Sequence, residues 1–363
     1  MNFRAGLSRH VVRFLKAGPY SYAIKETSPY NAVYEFENYI KLIAKGIHTL
    51  IPAGTVIVKG LPIEVKTRTG ISYQTDDRAF IITLLESTAL PDSYLAKLNF
   101  KDSNRKQILK AISELFAVIH FHNIYWGDAS LANMMIRFVK EKDAHGRVRT
   151  ALKAVLADAE TVEFLPSISE NLRKNELENF HESMEWMRED LILLDKDAAL
   201  PDLESDHQYL KSSYNNFYGL YQLKADFFTE TGLDPDFHLK GIVNPVTIKE
   251  IRKQIEEHKW YLSEKANNEI NIIDAAIHWY ESIYLPTLGE FEKIGIYKYF
   301  PFRTPAMLYL EIMTHKYYMS EKAGYDTGIK EAVYSYASDL GNDPNFLKFV
   351  KKIIRTVLKF VKK

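Results

Sequence analysis

Three patterns in the sequence predict an α+β fold with a small antiparallel sheet lobe, a helical lobe and an all-α C-terminal domain. Strand-like and helix-like runs follow one another in the order β-β-α-β-β over residues 10–85, and a helical pattern then leads into a strand–turn–strand. From residue 208 the apolar period is mostly helical. The predicted division is a sheet lobe at 1–88, a helical lobe core at 89–196, a linker at 197–207 and a helical domain at 208–363.

The elements of the first lobe follow from apolar spacing and from turn residues. Two predicted strands flank the turn Ala17–Gly18–Pro19, and a helix with Tyr34 and Ile40 on its apolar face comes next. Pro91 marks the connector to the second lobe. The predicted strands are 10–15, 20–25, 55–66 and 79–85, and the predicted helix is 31–44.

The second lobe is predicted to begin with a helix at 102–122, which Asp102 or Ser103 would cap. Strands follow on either side of a polar turn, and further helices come next. The stretch 195–207 holds Pro201 and five acids, which favours a linker. The predicted ranges are 134–139 and 154–157 for the strands, 141–149 for the turn and 168–194 for the helices.

Composition excludes several kinds of site. The 363-residue chain has no cysteine, which excludes disulfides and Cys-ligated zinc. Its longest apolar run, at 79–85, is too short to span a bilayer, and its first residues lack a secretory pattern. A cytoplasmic location is therefore expected. The residues before 346 carry 40 basic and 47 acidic groups, so no nucleic-acid partner is expected.

The central motif is Gly127–Asp128 followed by Asn133, and an apolar run ends in Asp158 twenty-five residues later. An Asp, an Asn five residues on and a second Asp after a strand are the catalytic and metal-holding residues of kinase-fold phosphotransferases. Asp128 is the candidate base that orients a hydroxyl. Asn133 and Asp158 are the candidate ligands of Mg²⁺ or Mn²⁺, which would neutralise charge on the phosphates of ATP.

Upstream residues supply the rest of a nucleotide site. Lys25 ends a Val-Ala-Ile-Lys-like strand and is the candidate contact to the phosphates, with Glu35, preferred over Glu37, as its anchor on the next helix. The adenine is expected at the connector near Glu86. The segment with Gly6, Ser8 and Arg9 occupies the place of a glycine-rich phosphate loop, although it has one glycine instead of three.

These motifs resemble a bacterial family of unknown function that has a lipopolysaccharide-kinase-like (Kdo/WaaP-type) N-terminal half and a helical C-terminal domain. The resemblance is carried by GLSRHVVRF, YAIKE, YWGDASLANMMIR and LADAETVEF in the first half, and by HWYESIYLP and HKYYMSEKAGYDTGIKEAVYSY in the second. It implies a protein-kinase-like bilobal fold. Gly127, in place of the Arg before the catalytic Asp of regulated protein kinases, favours a small-molecule acceptor.

The sequence therefore predicts an ATP- and Mg²⁺-dependent phosphotransferase that acts on a hydroxyl of a small or carbohydrate-like molecule. Two alternatives stay open. One is a nucleotide-binding pseudokinase that works as a switch or scaffold, and the other is nucleotidyl transfer on the same fold. Ala159–Glu160 stands where Phe-Gly usually follows the metal-binding Asp, which favours the first alternative. The helical C-terminal domain is a candidate surface for a protein partner.

Three further patterns concern other kinds of contact or site, and the first two have two interpretations each. The tail at 346–363 is basic and amphipathic, which is compatible with weak peripheral membrane contact, but a terminal helix packed on its own domain is favoured. The segments at 257–266 and 314–323 are similar, by duplication of a helical hairpin or by chance. No zinc site is predicted at the four histidines considered, which are His120, His122, His258 and His315.

Overall fold

The computed structural model describes residues 12–67, 70–95, 101–142, 148–194, 202–239, 244–300 and 303–341. Gly6, Ser8 and Arg9 lie outside the described residues, and so does the tail at 346–363. The chain forms two compact units, and the first of them extends to Tyr221. Each unit is described by itself below.

The first unit begins with a four-stranded antiparallel sheet in the order β1-β2-β4-β3. Gly18, at φ +61°, forms the turn between β1 and β2. The register places Lys25 of β2 opposite Ile81 of β4. The strands are β1 (Val12–Ala17), β2 (Tyr20–Thr27), β3 (Pro52–Thr67) and β4 (Gly70–Leu84).

β4 begins at Gly70, nine residues before its predicted start at Ala79. The missed part contains Gln74, Asp76 and Asp77, whose polarity hides a strand from an apolar pattern. Backbone pairing decides this part of the strand, because β3 and β4 stay paired as far as Thr67 and Gly70. The β-β-α-β-β order itself is as predicted.

Helix α1 (Pro29–Ala44) crosses this sheet. Ser28 caps it by accepting from the Asn31 N–H, and Pro29 begins the first turn with a φ that suits a helix. Its buried residues recur at three- and four-residue steps, as the helical period requires. They are Ala32, Glu35, Asn38, Tyr39 and Leu42, so two strongly polar side chains lie on the inner face.

The helical lobe is built around α3 (Asp102–Phe121), a largely buried helix whose inner residues join the core of the first unit. Its N-cap residue is Lys101, and no side chain caps it. The predicted cap at Asp102 or Ser103 is therefore wrong. The Asp102 carboxylate instead binds Arg105 at 2.9 Å and Lys106 at 2.8 Å, both within the first turns of the helix.

Short strands carry the loops that follow α3. A three-stranded sheet has the order β5-β7-β8, and β6 pairs with β9 in a separate two-stranded sheet. The elements are β5 (Ala89–Pro91), α2 (Asp92–Leu95), β6 (Ile124–Tyr125), a 3₁₀ turn (Leu131–Asn133), β7 (Met134–Lys142), β8 (Val148–Leu156) and β9 (Glu163–Phe164).

Two long helices follow, α4 (Glu170–Leu194) and α5 (Leu203–Thr231). The start of α5 lies inside the predicted linker at 197–207, so the last residues of that range are helical. Asp206 and His207 are buried there, at 1% and 6% exposure. The division between the compact units falls after Tyr221, because α5 packs Leu210 and Tyr214 into the core of the first unit. The acid-rich residues at the end of the predicted linker therefore form the first turns of an amphipathic helix.

From Gln222 onward the described elements of the second unit are helical, and two of its hairpins repeat each other. They are α7 (Pro245–Ala266) with α8 (Ile272–Trp279) and α10 (Pro305–Ala323) with α11 (Ile329–Gly341), and they contain the two similar segments. In each hairpin a serine hydroxyl accepts a backbone N–H seven residues later, and a lysine binds a carboxylate ten residues later. The pairs are Ser263 with Ile270 (3.0 Å) and Lys259 with Glu269 (3.1 Å) in the first hairpin, and Ser320 with Thr327 (3.1 Å) and Lys316 with Asp326 (3.0 Å) in the second.

These matching contacts favour duplication over chance similarity, because both hairpins are closed by the same bonds at the same spacing. The helices of this unit are α6 (Pro235–His238), α7 (Pro245–Ala266), α8 (Ile272–Trp279), a π-helical turn (Tyr280–Tyr284), α9 (Leu285–Ile294), a 3₁₀ turn (Ile296–Lys298), α10 (Pro305–Ala323) and α11 (Ile329–Gly341). Among the described residues, no helix combines the length and the apolar character that crossing a membrane requires.

Candidate active site

The Lys25 side chain is the centre of the site. Its Nζ lies 2.8 Å from Asp158 Oδ2, 3.1 Å from Glu35 Oε2 and 3.1 Å from Glu160 Oε2. Lys25 comes from β2, Glu35 from α1, and the other two carboxylates from the segment after β8. The structure thus brings together three of the residues predicted from the sequence and adds Glu160 to them.

The charges of this cluster shift the pKa values of its members. Burial lowers the pKa of Lys25, but Asp158 and Glu35 outweigh that effect and raise it well above its usual range. Burial, together with the charge of Asp158, raises the pKa of Glu35 to about 7, while Lys25 acts in the opposite direction. Lys25 therefore stays charged at neutral pH, and Glu35 protonates more readily than an ordinary glutamate.

Helix α1 holds the segment that carries Asp158 and Glu160. The Tyr39 hydroxyl lies within hydrogen-bond distance of both Glu35 and the Ala157 carbonyl, which ties the helix to the strand end. Further side chains of the same helix bind this segment. Asn38 Nδ2 lies 3.0 Å from the carbonyls of Ala159 and Val162, the Tyr34 hydroxyl donates to the Val162 carbonyl at 2.9 Å, and Asn31 donates to Glu160 at 2.6 Å.

The choice of Glu35 over Glu37 agrees with this geometry. Glu35 is 1% exposed and faces Lys25. Glu37, two positions along the helix, faces outward and lies 3.8 Å from Lys41. A step of two residues turns a helix by more than half a circle, so only one of the two glutamates can face the sheet.

The loop that carries Asp128 is shaped by Gly127. This glycine has φ +83°, in the left-handed region, and an added Cβ would lie 3.0 Å from the Thr161 carbonyl oxygen. The Thr161 hydroxyl donates to the Trp126 carbonyl at 2.6 Å, and the Trp126 indole N–H donates to the Asp158 carbonyl at 2.8 Å. The Asp128 loop and the Asp158 segment therefore support each other directly.

Glu176 of α4 binds the backbone of the same loop. Its Oε1 accepts the backbone N–H groups of Trp126 and Gly127, both at 2.8 Å, and its Oε2 lies 2.8 Å from His120 Nε2. The other ring nitrogen of His120 lies 2.8 Å from the Tyr214 hydroxyl. Glu176 is 1% exposed. This network fixes the backbone immediately before Asp128.

Sequence reasoning missed Glu176, although one signal was available. Glu176 lies four residues before Phe180 on the apolar face of α4, where a lone acid needs a partner if the face is buried. The partners come from the loop and from α3, and the one-dimensional pattern does not show which groups meet there. His120, at the end of α3, binds Glu176 and Tyr214 in the structure.

Asp128 and Asn133 lie at the two ends of the loop. Asp128 is exposed, and Asn133 Nδ2 donates to its backbone carbonyl at 2.9 Å. The Asn133 carbonyl accepts the N–H of Ala157, the residue before Asp158, also at 2.9 Å. The start of β7 and the chain after β8 are therefore adjacent, as the predicted strand–turn–strand requires.

Glu86 lies in the connector between the two lobes. Its carboxylate accepts from the Thr88 hydroxyl at 2.6 Å and lies 2.9 Å from Arg137 Nε. Partial burial opposes ionisation, but the Thr88 and Arg137 contacts outweigh it and lower the pKa of Glu86. The Glu86 side chain is thus engaged within the protein, and an adenine contact at this residue would involve its backbone.

The donors around Lys25 fit a hard divalent cation. One carboxylate oxygen each from Glu35, Asp158 and Glu160 lies within 4.8 Å of the others. Carboxylate oxygens, which all three residues provide, are ligands that Mg²⁺ uses, together with phosphate oxygens and water. The Lys25 ammonium contacts all three carboxylates in the structure.

Comparison with known proteins gives one family match and similarities to solved structures. Residues 273–340 match a family model described as a domain of unknown function, DUF4032. No curated protein sequence matches the chain. Among solved structures, the chain is similar to WaaP in complex with acyl carrier protein, with 11% identity, a TM-score of 0.38, and coverage of 61% of this chain and 81% of that one.

It is also similar to a Rio2 kinase–ADP/Mg²⁺–phosphoaspartate complex from Chaetomium thermophilum, with 15% identity, a TM-score of 0.30, and coverage of 63% of this chain and 66% of that one. The antiparallel sheet lobe, its crossing helix and the helical remainder give this chain a kinase-like fold, and its residues 273–340 carry the match to the domain of unknown function.

Proposed function

We propose that this protein is an ATP- and Mg²⁺-dependent phosphotransferase that acts on a hydroxyl of a small or carbohydrate-like acceptor. One observation carries the proposal: Lys25 lies between Glu35 on the crossing helix and Asp158 after the β7–β8 hairpin. A lysine held by a helix carboxylate, close to a metal-binding Asp, is the arrangement that positions ATP phosphates in kinase folds.

Each residue has a proposed role. Asp128 accepts the proton of the acceptor hydroxyl and orients it. Asp158 and Asn133 hold Mg²⁺, or Mn²⁺ in its place, and the bound cation neutralises charge on the phosphates. Lys25 exchanges a carboxylate contact for a phosphate oxygen, and Glu35 keeps its ammonium in position. Glu86 contacts the adenine through its backbone, and Gly6, Ser8 and Arg9 are proposed phosphate contacts.

The acceptor class rests on the resemblance to lipopolysaccharide kinases and on Gly127. A protein-kinase peptide platform is not supported by the sequence, since no Ala-Pro-Glu follows the Asp158 segment. The helical unit is a proposed surface for a protein partner. A cytoplasmic location is also proposed, because ATP is the proposed cosubstrate.

Mass spectrometry of small molecules tests the proposal. The purified chain is incubated with ATP, Mg²⁺ or Mn²⁺, and a metabolite extract, and phosphate addition to a hydroxyl-bearing compound is the expected product. Asp128→Ala should reduce turnover by about 10²–10⁴-fold, because it removes the base, and should leave ATP binding nearly unchanged. The control is Asp226→Ala, which removes an exposed carboxylate on α5. Equal activity of Asp128→Ala and the wild type would overturn the mechanism.

A second candidate is a nucleotide-binding pseudokinase that acts as a switch or scaffold. It is favoured by Glu160, which stands two residues after Asp158, where Gly is usual, and gives Lys25 a third carboxylate partner. ATP binding without a modified product in the same assay would support it. Transfer of adenylate in place of phosphate would instead support nucleotidyl transfer.

A further inference from the structure

A second cluster of chemically active side chains lies away from Lys25, between α4 and the first turns of α5. Glu178 and His181 are three residues apart on α4, so they share a face of that helix, and His207 comes from α5. His207 Nε2 lies 3.1 Å from Glu178 Oε2, and the rings of His181 and His207 are 3.9 Å apart between centroids. One ligand atom from each of the three residues lies within 4.8 Å of the other two.

Two ring nitrogens of this cluster are buried without a hydrogen-bond partner among the residues that the structure describes. They are Nε2 of His181 and Nδ1 of His207, and the His207 residue is 6% exposed. Buried polar atoms in proteins almost always have a partner, so an unsatisfied pair in adjacent rings calls for one. An imidazole nitrogen that lacks a proton can bind only a donor hydrogen or a cation.

The side chains of the cluster are of types that bind cations. Glu178 Oε1 lies 2.6 Å from the Lys211 ammonium, and Glu178 Oε2 faces His207. Imidazole nitrogens and carboxylate oxygens are ligands for divalent cations of the zinc type.

We propose that Glu178, His181 and His207 bind one zinc-type divalent cation, with water in the fourth position. Two imidazoles and a carboxylate are a set that Zn²⁺ accepts in tetrahedral sites. Bond lengths of about 2.0–2.2 Å would draw the three ligand atoms closer together than they are in the structure. Imidazole ligands favour Zn²⁺, Co²⁺ or Ni²⁺ over Mg²⁺, so this site differs in chemistry from the oxygen donors near Lys25.

The position of the site indicates its effect. The cation would link α4 to α5 across a break in the described chain between Leu194 and Asp202. Glu176, two residues before Glu178, holds the loop that carries Asp128. We therefore expect the cation to stabilise the α4–α5 packing beneath that loop. This inference does not depend on the proposed phosphotransfer.

Another histidine pair in the chain provides a matched control. His258 Nε2 lies 2.9 Å from His278 Nδ1, and the Ser282 hydroxyl is 3.0 Å from the same nitrogen of His278. This pair resembles the proposed site in having two adjacent rings. Among the described residues, no third histidine or carboxylate lies close enough to this pair to complete a set of three metal ligands.

Metal titration of the chelator-treated full-length chain tests the proposal. Co²⁺ should give visible absorption typical of nitrogen coordination at one equivalent, Zn²⁺ should displace it, and a large excess of Mg²⁺ should not. Replacing a ligand, by His181→Asn, His207→Asn or Glu178→Gln, should weaken Zn²⁺ binding by at least about tenfold. The double control His258→Asn/His278→Asn should bind like the wild type.

Thermal unfolding provides a second readout, because a cation that binds only the folded state raises Tm, and by more the more tightly it binds. Zn²⁺ should raise the Tm of the wild type and of the control by clearly more than that of Glu178→Gln. Glu178→Gln keeps the size of the side chain, so it serves as the test variant if the histidine variants fold poorly. Weak binding without saturation at one equivalent, or unchanged binding in Glu178→Gln and His181→Asn, would overturn the proposal and leave a metal-free histidine pair.

Discussion

The ammonium of Lys25 lies 2.8 Å from the carboxylate of Asp158, although 133 residues separate them in the chain. Lys25 is in the middle of the small sheet, and Asp158 follows the hairpin of the helical lobe. Glu35 and Glu160 complete the environment of the ammonium. The sheet lobe and the helical lobe core of the first unit therefore meet at a partly buried charge cluster with three acids and one base.

Removal of the base should make this cluster a cation site. In Lys25→Met, Glu35, Asp158 and Glu160 lose the ammonium that they share, so we expect a loss on the order of 2 kcal/mol in the free energy of unfolding. Added Mg²⁺ or Ca²⁺ should restore part of it. The measurement is urea denaturation with and without millimolar cation, with the exposed Lys41→Met as control. Equal cation responses in the two variants would contradict the prediction.

The stability contribution of Glu35 should depend on pH with a definite sign. Burial raises its pKa from 4.5 to about 7, so the folded state binds the proton more tightly than the unfolded state does. The resulting stabilisation is complete below pH 4.5 and is lost as the pH rises through about 7. The difference in unfolding free energy between the wild type and Glu35→Gln should shift by on the order of 1–3 kcal/mol in favour of the wild type from pH 8 to pH 5.

That comparison uses chemical denaturation of both proteins at several pH values, and titrating groups elsewhere cancel in the difference. Glu37→Gln serves as the control, because Glu37 is largely exposed. A difference that stays constant between pH 5 and pH 8 would show that the pKa of Glu35 is not raised.

The Asp128 loop should depend on Glu176. Glu176→Ala leaves the N–H groups of Trp126 and Gly127 without their acceptor and opens a cavity, for an expected cost of about 3 kcal/mol. Glu176→Gln keeps an acceptor oxygen and should cost less. Glu170→Ala removes an exposed glutamate from the same helix and should change stability little. If Glu176→Ala unfolds at the same urea concentration as Glu170→Ala, the proposed support of the loop is absent.

Gly127 should tolerate no side chain. Gly127→Ala combines a left-handed backbone with a Cβ 3.0 Å from the Thr161 carbonyl, so we expect a loss of about 1–3 kcal/mol. Gly219→Ala, on α5, meets no atom within 4 Å and should stabilise the helix by about 0.5–1 kcal/mol. Thermal unfolding of the two variants gives the comparison, and a neutral Gly127→Ala would mean that the loop adapts.

Much of the fold could be predicted because its signals are local. The capping of α1 by Ser28, the apolar period of that helix and the turn at Gly18 all act within a few residues. The polar part of β4 and the buried start of α5 could not be predicted from local signals. Pairing with β3 outweighs the polar composition of β4, and packing against α3 outweighs the acidic composition at the start of α5. The missed N-cap of α3 has a different, local cause, because the Asp102 carboxylate binds Arg105 and Lys106 and no backbone N–H of the first turn.

The sequence by itself determined the order and chemistry of the candidate site, because the types of residue at Lys25, Glu35, Asp128, Asn133 and Asp158 and their spacing are properties of the chain. Only the tertiary structure decided which further groups join them. Glu160 reaches Lys25, Glu176 reaches the loop before Asp128, and His207 meets His181 through contacts between elements distant in sequence. Such contacts depend on where helices and strands come to lie, which local spacing does not encode.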